Sequence, residues 1–65
     1  MCESSAFIRR GEEEELLLAD VAMVLPVDGG FLLRSLFGEE ATVRGRIEEL
    51  NLMKHRIVFL EDRND

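Results

Sequence analysis

The sequence predicts an all-β fold of short strands joined by tight turns, and three features carry that expectation. Turn signals recur at Arg10-Gly11-Glu12, Asp28-Gly29-Gly30 and Gly38-Glu39-Glu40, and a further reversal fits Met53-Lys54-His55. Such spacing suits hairpins. Residues 41–48 alternate, with Ala41, Val43, Gly45 and Ile47 on one face and Thr42, Arg44, Arg46 and Glu48 on the other. That is the period of a half-buried strand. Arg56-Ile57-Val58-Phe59-Leu60 is an apolar run of strand length.

The other elements follow in chain order. Val21, Met23, Leu25 and Val27 share a face of one strand. Asp28-Gly29 is the strongest hairpin signal, because a tight primed turn needs positive φ. Phe31, Leu33 and Phe37 share a face of the next strand, with Ser35 between them. A helical alternative exists. Residues 12–25 are rich in helix formers, and residues 39–53 can be drawn as a helix through Val43, Ile47, Leu50 and Met53. Turn spacing and the alternation after Ala41 favour strands. The organisation expected is one β domain over residues 1–60, with a polar tail over 61–65.

The chain has 65 residues and a net charge of −6. A domain of this size buries only about 60% of the surface its unfolded chain exposes, so it is marginal alone. Such scaffolds take a disulfide, a metal or a partner subunit. With one cysteine, no internal disulfide is available. The start has no basic segment followed by an apolar run, so no signal peptide is expected. No apolar stretch approaches the roughly 20 residues of a membrane span. The expectation is a cytoplasmic protein that dimerises, binds a metal, or does both. Fourteen acidic against eight basic residues, without Trp or Tyr, argue against binding the phosphates of nucleic acid.

The residue with distinctive chemistry is Cys2. Removal of Met1 would leave Cys2 with a thiol and a free α-amine, which together can chelate one metal ion. The amine's ordinary pKa is about 8, and a metal displaces protons from both donors near neutral pH. Thiolate plus nitrogen suits a late, fairly soft ion, with Ni(II) and Cu(II) favoured by square-planar nitrogen-rich sites. The plainer alternative is a cysteine acting as a small apolar residue. His55, between Lys54 and Arg56, is a further donor type but lies far along the chain and is expected to be solvated. Glu3 neighbours Cys2 and could offer an oxygen, although an exposed charge is the ordinary reading. Met23 and Met53 fall at apolar spacing and are expected in the core. Glu12-Glu13-Glu14-Glu15 is expected to be a solvated hairpin tip. A Cys–His pair without orienting context supports no nucleophilic catalysis, and Asp28-Gly29-Gly30 does not match a phosphate-binding loop. The chain therefore reads as a non-enzyme.

In order and length the sequence resembles the CooT family of small nickel-binding accessory proteins linked to carbon monoxide dehydrogenase maturation. The matching features are Met1-Cys2, a first strand over residues 5–10, the acidic turn with Leu16-Leu17-Leu18 and Asp20-Val21, Leu36-Phe37-Gly38-Glu39-Glu40, Val43-Arg44-Gly45-Arg46-Ile47, and Arg56-Ile57-Val58. The resemblance implies a small antiparallel SH3-like barrel, assembled as a homodimer. It also implies Ni(II) held by Cys2 near the two-fold, and a nickel enzyme such as carbon monoxide dehydrogenase as client. One chain supplies too few donors for a four-coordinate ion, and a two-fold axis doubles them. That arithmetic predicts one nickel per dimer. Two alternatives remain: a small-barrel RNA-binding module using Arg44, Arg46 and Arg56, and a metal-independent protein-interaction domain that pairs through sheet edges.

Overall fold

A computed structural model describes residues 4–62. These form five strands: β1 (Ser4–Arg10), β2 (Glu13–Val27), β3 (Gly30–Ser35), β4 (Glu40–Asn51) and β5 (Arg56–Glu61). The all-β expectation holds, and both segments with helical propensity are strands. Consecutive strands pair antiparallel, and β1 closes the barrel against β5. The antiparallel expectation holds for the four consecutive pairs, and the closing pair alone is parallel. The reason is parity: four reversals return β5 to the direction of β1.

Closure works because β2 and β4 each pair on both sides. β2 pairs with β1 from Glu13 to Val21 and with β3 from Val21 to Val27. β4 pairs with β3 from Glu40 to Arg44 and with β5 from Gly45 to Asn51. Each long strand bends at the handover. In β2 the bend combines a positive φ of 55° at Asp20 with an irregular register between Val21 and Met23. A one-residue irregularity moves the following side chains to the other face. Val21 therefore packs against the core, while Met23 pairs with exposed Arg34. The four residues expected on one face of β2 are thus split. In β4 the bend is at Gly45, with φ of 153°. A Cβ there would overlap the carbonyl oxygen of Leu60, so the close approach of β4 to β5 requires glycine.

The core is formed by Ala6, Ile8, Leu18, Leu33, Val43, Ile57 and Phe59. Phe31 and Phe59 meet with ring centroids 5.4 Å apart, joining β3 to β5. Ile57, Val58 and Phe59 are all buried, so β5 is covered on both faces, as a continuous apolar run implies. Residues 41–46 alternate as expected, with Val43 buried and Thr42, Arg44 and Arg46 exposed, but Ile47, expected on the face of Val43, is 39% exposed beside the irregular register between Ile47 and Glu49. The Asp28-Gly29 hairpin is present, with φ of 78° at Gly29. β5 extends to Glu61, which pairs with Gly45, and the Asp62 N–H donates to the Arg44 carbonyl at 2.8 Å.

Two further residues expected inside lie outside. Phe37 sits in the β3–β4 turn, 76% exposed, and Met53 in the β4–β5 turn, 89% exposed. Ser35 takes the buried position that the alternation offered to an apolar side chain. Its Oγ accepts from the N–H groups of Phe37 and Glu39, both at 3.1 Å. Its own N–H donates to the Glu39 carbonyl at 2.8 Å. The hydroxyl thus satisfies turn backbone that a leucine would leave bare.

Candidate metal centre

Cys2 and Glu3 lie outside the described residues, so the site is approached through the point where the described chain begins. Ser4 pairs with Val21, and Ser5 with Arg56. The Ser5 N–H donates to the His55 carbonyl at 2.9 Å. His55 is exposed in the turn after β4 and takes a left-handed φ of 55°. That conformation is uncommon outside glycine, with His among the residues that reach it most readily. Within the turn, the His55 N–H donates to the Leu52 carbonyl and the Lys54 N–H to Asn51 Oδ1. Distant in sequence, His55 lies one strand from Ser5. The parallel β1–β5 pairing makes it a neighbour of the chain start, which local sequence pattern could not reveal.

Among the described residues, no group of three or more His, Cys, Asp or Glu side chains gathers as a metal site. The described barrel alone offers no closed donor set. Met53 is near His55 in the same turn, and Met23 is half-buried on β2.

The acidic run is at the other end of β1. Gly11 and Glu12 form the turn, and β2 begins at Glu13. This run is less free than a solvated tip. Glu14 is 2.8 Å from Arg56 and 3.5 Å from Arg9, and Glu15 pairs with Arg10. The Arg56 hydrogen bond holds the Glu14 carboxyl below its ordinary pKa. Arg10 also pairs with Glu61, and that hydrogen bond raises its pKa. Arg9 reaches Glu48 at 2.7 Å. Arg56 lies 5.0 Å over the Phe7 ring, a cation–π contact that spans the outer face of β1.

These pairs change the basic patch suggested by Arg44, Arg46 and Arg56. Arg56 is tied to Glu14, near Glu49 and stacked on Phe7. Arg44 and Arg46 remain exposed on β4. A groove of about 570 Å³ includes Arg10, Thr42, Arg44, Glu61 and Asp62 in its walls. Its acids and bases are mixed, unlike a cationic track for phosphates.

The chain matches the family model for the CO dehydrogenase accessory protein CooT over residues 1–60. It belongs to the CooT family. A crystal structure described as "putative CooT from Carboxydothermus hydrogenoformans" is 39% identical, covers 95% of this chain and 100% of that chain, and gives a TM-score of 0.87. No curated protein matches. CooT is an accessory protein of CO dehydrogenase, which points to that enzyme as the client. No helix among the described residues is long and apolar enough to cross a membrane.

Proposed function

We propose that this protein is a cytoplasmic nickel-binding accessory factor for maturation of carbon monoxide dehydrogenase, with binding rather than catalysis as its task. In this reading the closed sheet is an SH3-like small barrel acting as a homodimer. One Ni(II) is carried between two copies of Cys2, each offering a thiolate and, after removal of Met1, an α-amine. Nickel is cargo here, so ligation at an accessible chain start suits loading and release better than a closed structural site. Membership of the CO dehydrogenase accessory family, with cysteine at position two, carries the reading.

The test is a nickel titration of Met1-trimmed protein beside Cys2→Ser, followed by thiolate-to-nickel charge-transfer absorbance. Saturation at half an equivalent per chain, lost in the variant, supports the reading. Undiminished uptake by Cys2→Ser removes it. Affinity is expected to fall as pH drops, because thiol and amine must both lose protons to bind. The RNA-binding alternative is weakened by the Arg56–Glu14 pair and the net charge of −6.

A further inference from the structure

The chain has one cysteine and one histidine, and the fold brings the histidine to the end of the molecule where the cysteine's segment enters. His55 closes the β4–β5 turn, and β5 starts at Arg56, whose partner on β1 is Ser5. The Ser5 N–H donates to the His55 carbonyl at 2.9 Å. The polypeptide therefore enters β1 one strand spacing, about 5 Å, from His55. Cys2 is three residues ahead of Ser5, and three residues span no more than about 11 Å. A tether of that length lets the thiol and the ring meet at one ion.

The local structure of His55 suits a ligand. Three hydrogen bonds hold the turn that carries it: His55 N–H to the Leu52 carbonyl, Lys54 N–H to Asn51 Oδ1, and Ser5 N–H to the His55 carbonyl. A side chain on a fixed backbone is better placed to bind than one on a loose loop. The ring itself is exposed. No side-chain hydrogen bond or ion pair among the described residues engages either ring nitrogen. The left-handed φ of 55° is a separate observation. Such positions ordinarily fall to glycine or asparagine. Histidine is not the residue that this turn asks for, and strained backbone gathers at functional sites.

We infer that the His55 imidazole is a second nickel ligand. In the chain that keeps Met1, it supplies the nitrogen that the Cys2 α-amine supplies once Met1 is gone. The inference rests on the Cys2 reading above and adds a residue to it. With Met1 in place, two chains related by a two-fold offer two thiolates and no α-amine at Cys2. Two imidazoles then complete a four-donor set of sulfur and nitrogen. Imidazole is a suitable donor for nickel. Met53, 89% exposed in the same turn, is the rival donor and supplies the control.

The test uses the full chain with Met1 retained, checked by mass and loaded with nickel. X-ray absorption at the nickel edge should show imidazole scattering together with sulfur in the wild type. His55→Asn keeps a residue that tolerates the left-handed backbone and keeps the carbonyl that Ser5 uses, but removes the ring. It should lose the imidazole signal. Even partners that only orient a metal ligand are worth about 10- to 100-fold in affinity, so His55→Asn should weaken nickel binding by about tenfold or more. A competing chelator measures that loss, and circular dichroism and sedimentation should stay unchanged. Met53→Leu should keep wild-type affinity. A wild type without imidazole scattering, a wild type that binds no nickel while it keeps Met1, wild-type affinity in His55→Asn, or an equal loss in Met53→Leu would each overturn the inference. The first two need no variant to fold. The Cys2 reading fails separately. Nickel lost from Cys2→Ser, with no imidazole signal in the wild type, upholds Cys2 and removes His55. Nickel retained by Cys2→Ser with imidazole scattering does the reverse.

Discussion

The two ends of β1 solve the problem of a small barrel's surface in opposite ways. At the Arg10 end, carboxylates of β2, β4 and β5 pair with Arg9 and Arg10, and Arg56 reaches across Phe7 to join Glu14. Four carboxylates there find arginine partners within the chain. At the Ser4 end, two turns present leucine, phenylalanine and methionine to water. The difference teaches where this chain is self-sufficient. Exposed ion pairs contribute little stability, but they need no partner. An apolar rim gains only when something covers it.

Several substitutions would break or sharpen that contrast. The largest effect is expected at Gly45, whose bend lets β4 pair with β3 and then with β5. Gly45→Ala places a Cβ against Leu60 backbone at φ 153°. It should cost about 3 kcal/mol in urea denaturation, affecting both ends. An unchanged midpoint would mean the strands shift easily and the contrast does not depend on this scaffold. Ser35→Ala comes next. It removes an acceptor serving two turn N–H groups and should cost about 1–2 kcal/mol. Amide exchange should quicken in residues 36–39 and not in the acidic turn, localising the effect to the rim end.

The smallest effect is expected at the charged end. Glu14→Gln should lower stability slightly, and added salt should erase the difference from wild type. The pH dependence has a defined sign. The carboxyl's pKa is lower folded than its ordinary value of 4.5. Its contribution is therefore present above that value and is lost as pH falls through the folded pKa. Thermal melts of wild type and Glu14→Gln should differ at neutral pH and converge in acid. A gap that persists in acid would assign Glu14 a role other than pairing as a carboxylate.

Much of the fold was legible because local chemistry recorded it. Asp28-Gly29 marked its hairpin, the alternation through Val43 marked β4, and the run at Ile57 to Phe59 marked a strand covered on both faces. What stayed hidden depends on long-range geometry. The irregularity after Val21 shifts the period of β2 without an obvious residue signal. Ser35 occupies a buried position because turn backbone needs its hydroxyl, which displaces Phe37 from the face that spacing gave it. Arg56 looked like part of a basic patch because Glu14 is 42 positions away in sequence. The parallel closure that brings His55 to Ser5 could have been anticipated by counting reversals once five strands were recognised. Of the candidate site, the sequence presented Cys2 as its chemical centre, and that residue lies outside the described structure. The surrounding rim was misread because Met53 and Phe37 have core-like identities in turn positions.

Native mass spectrometry of the Met1-trimmed protein, loaded with nickel beside Cys2→Ser, tests the central claim most directly. The account predicts a dimer carrying one nickel in the wild type, and in the variant a dimer of unchanged abundance carrying none. Two nickel ions per wild-type dimer, or one retained without Cys2, would contradict it.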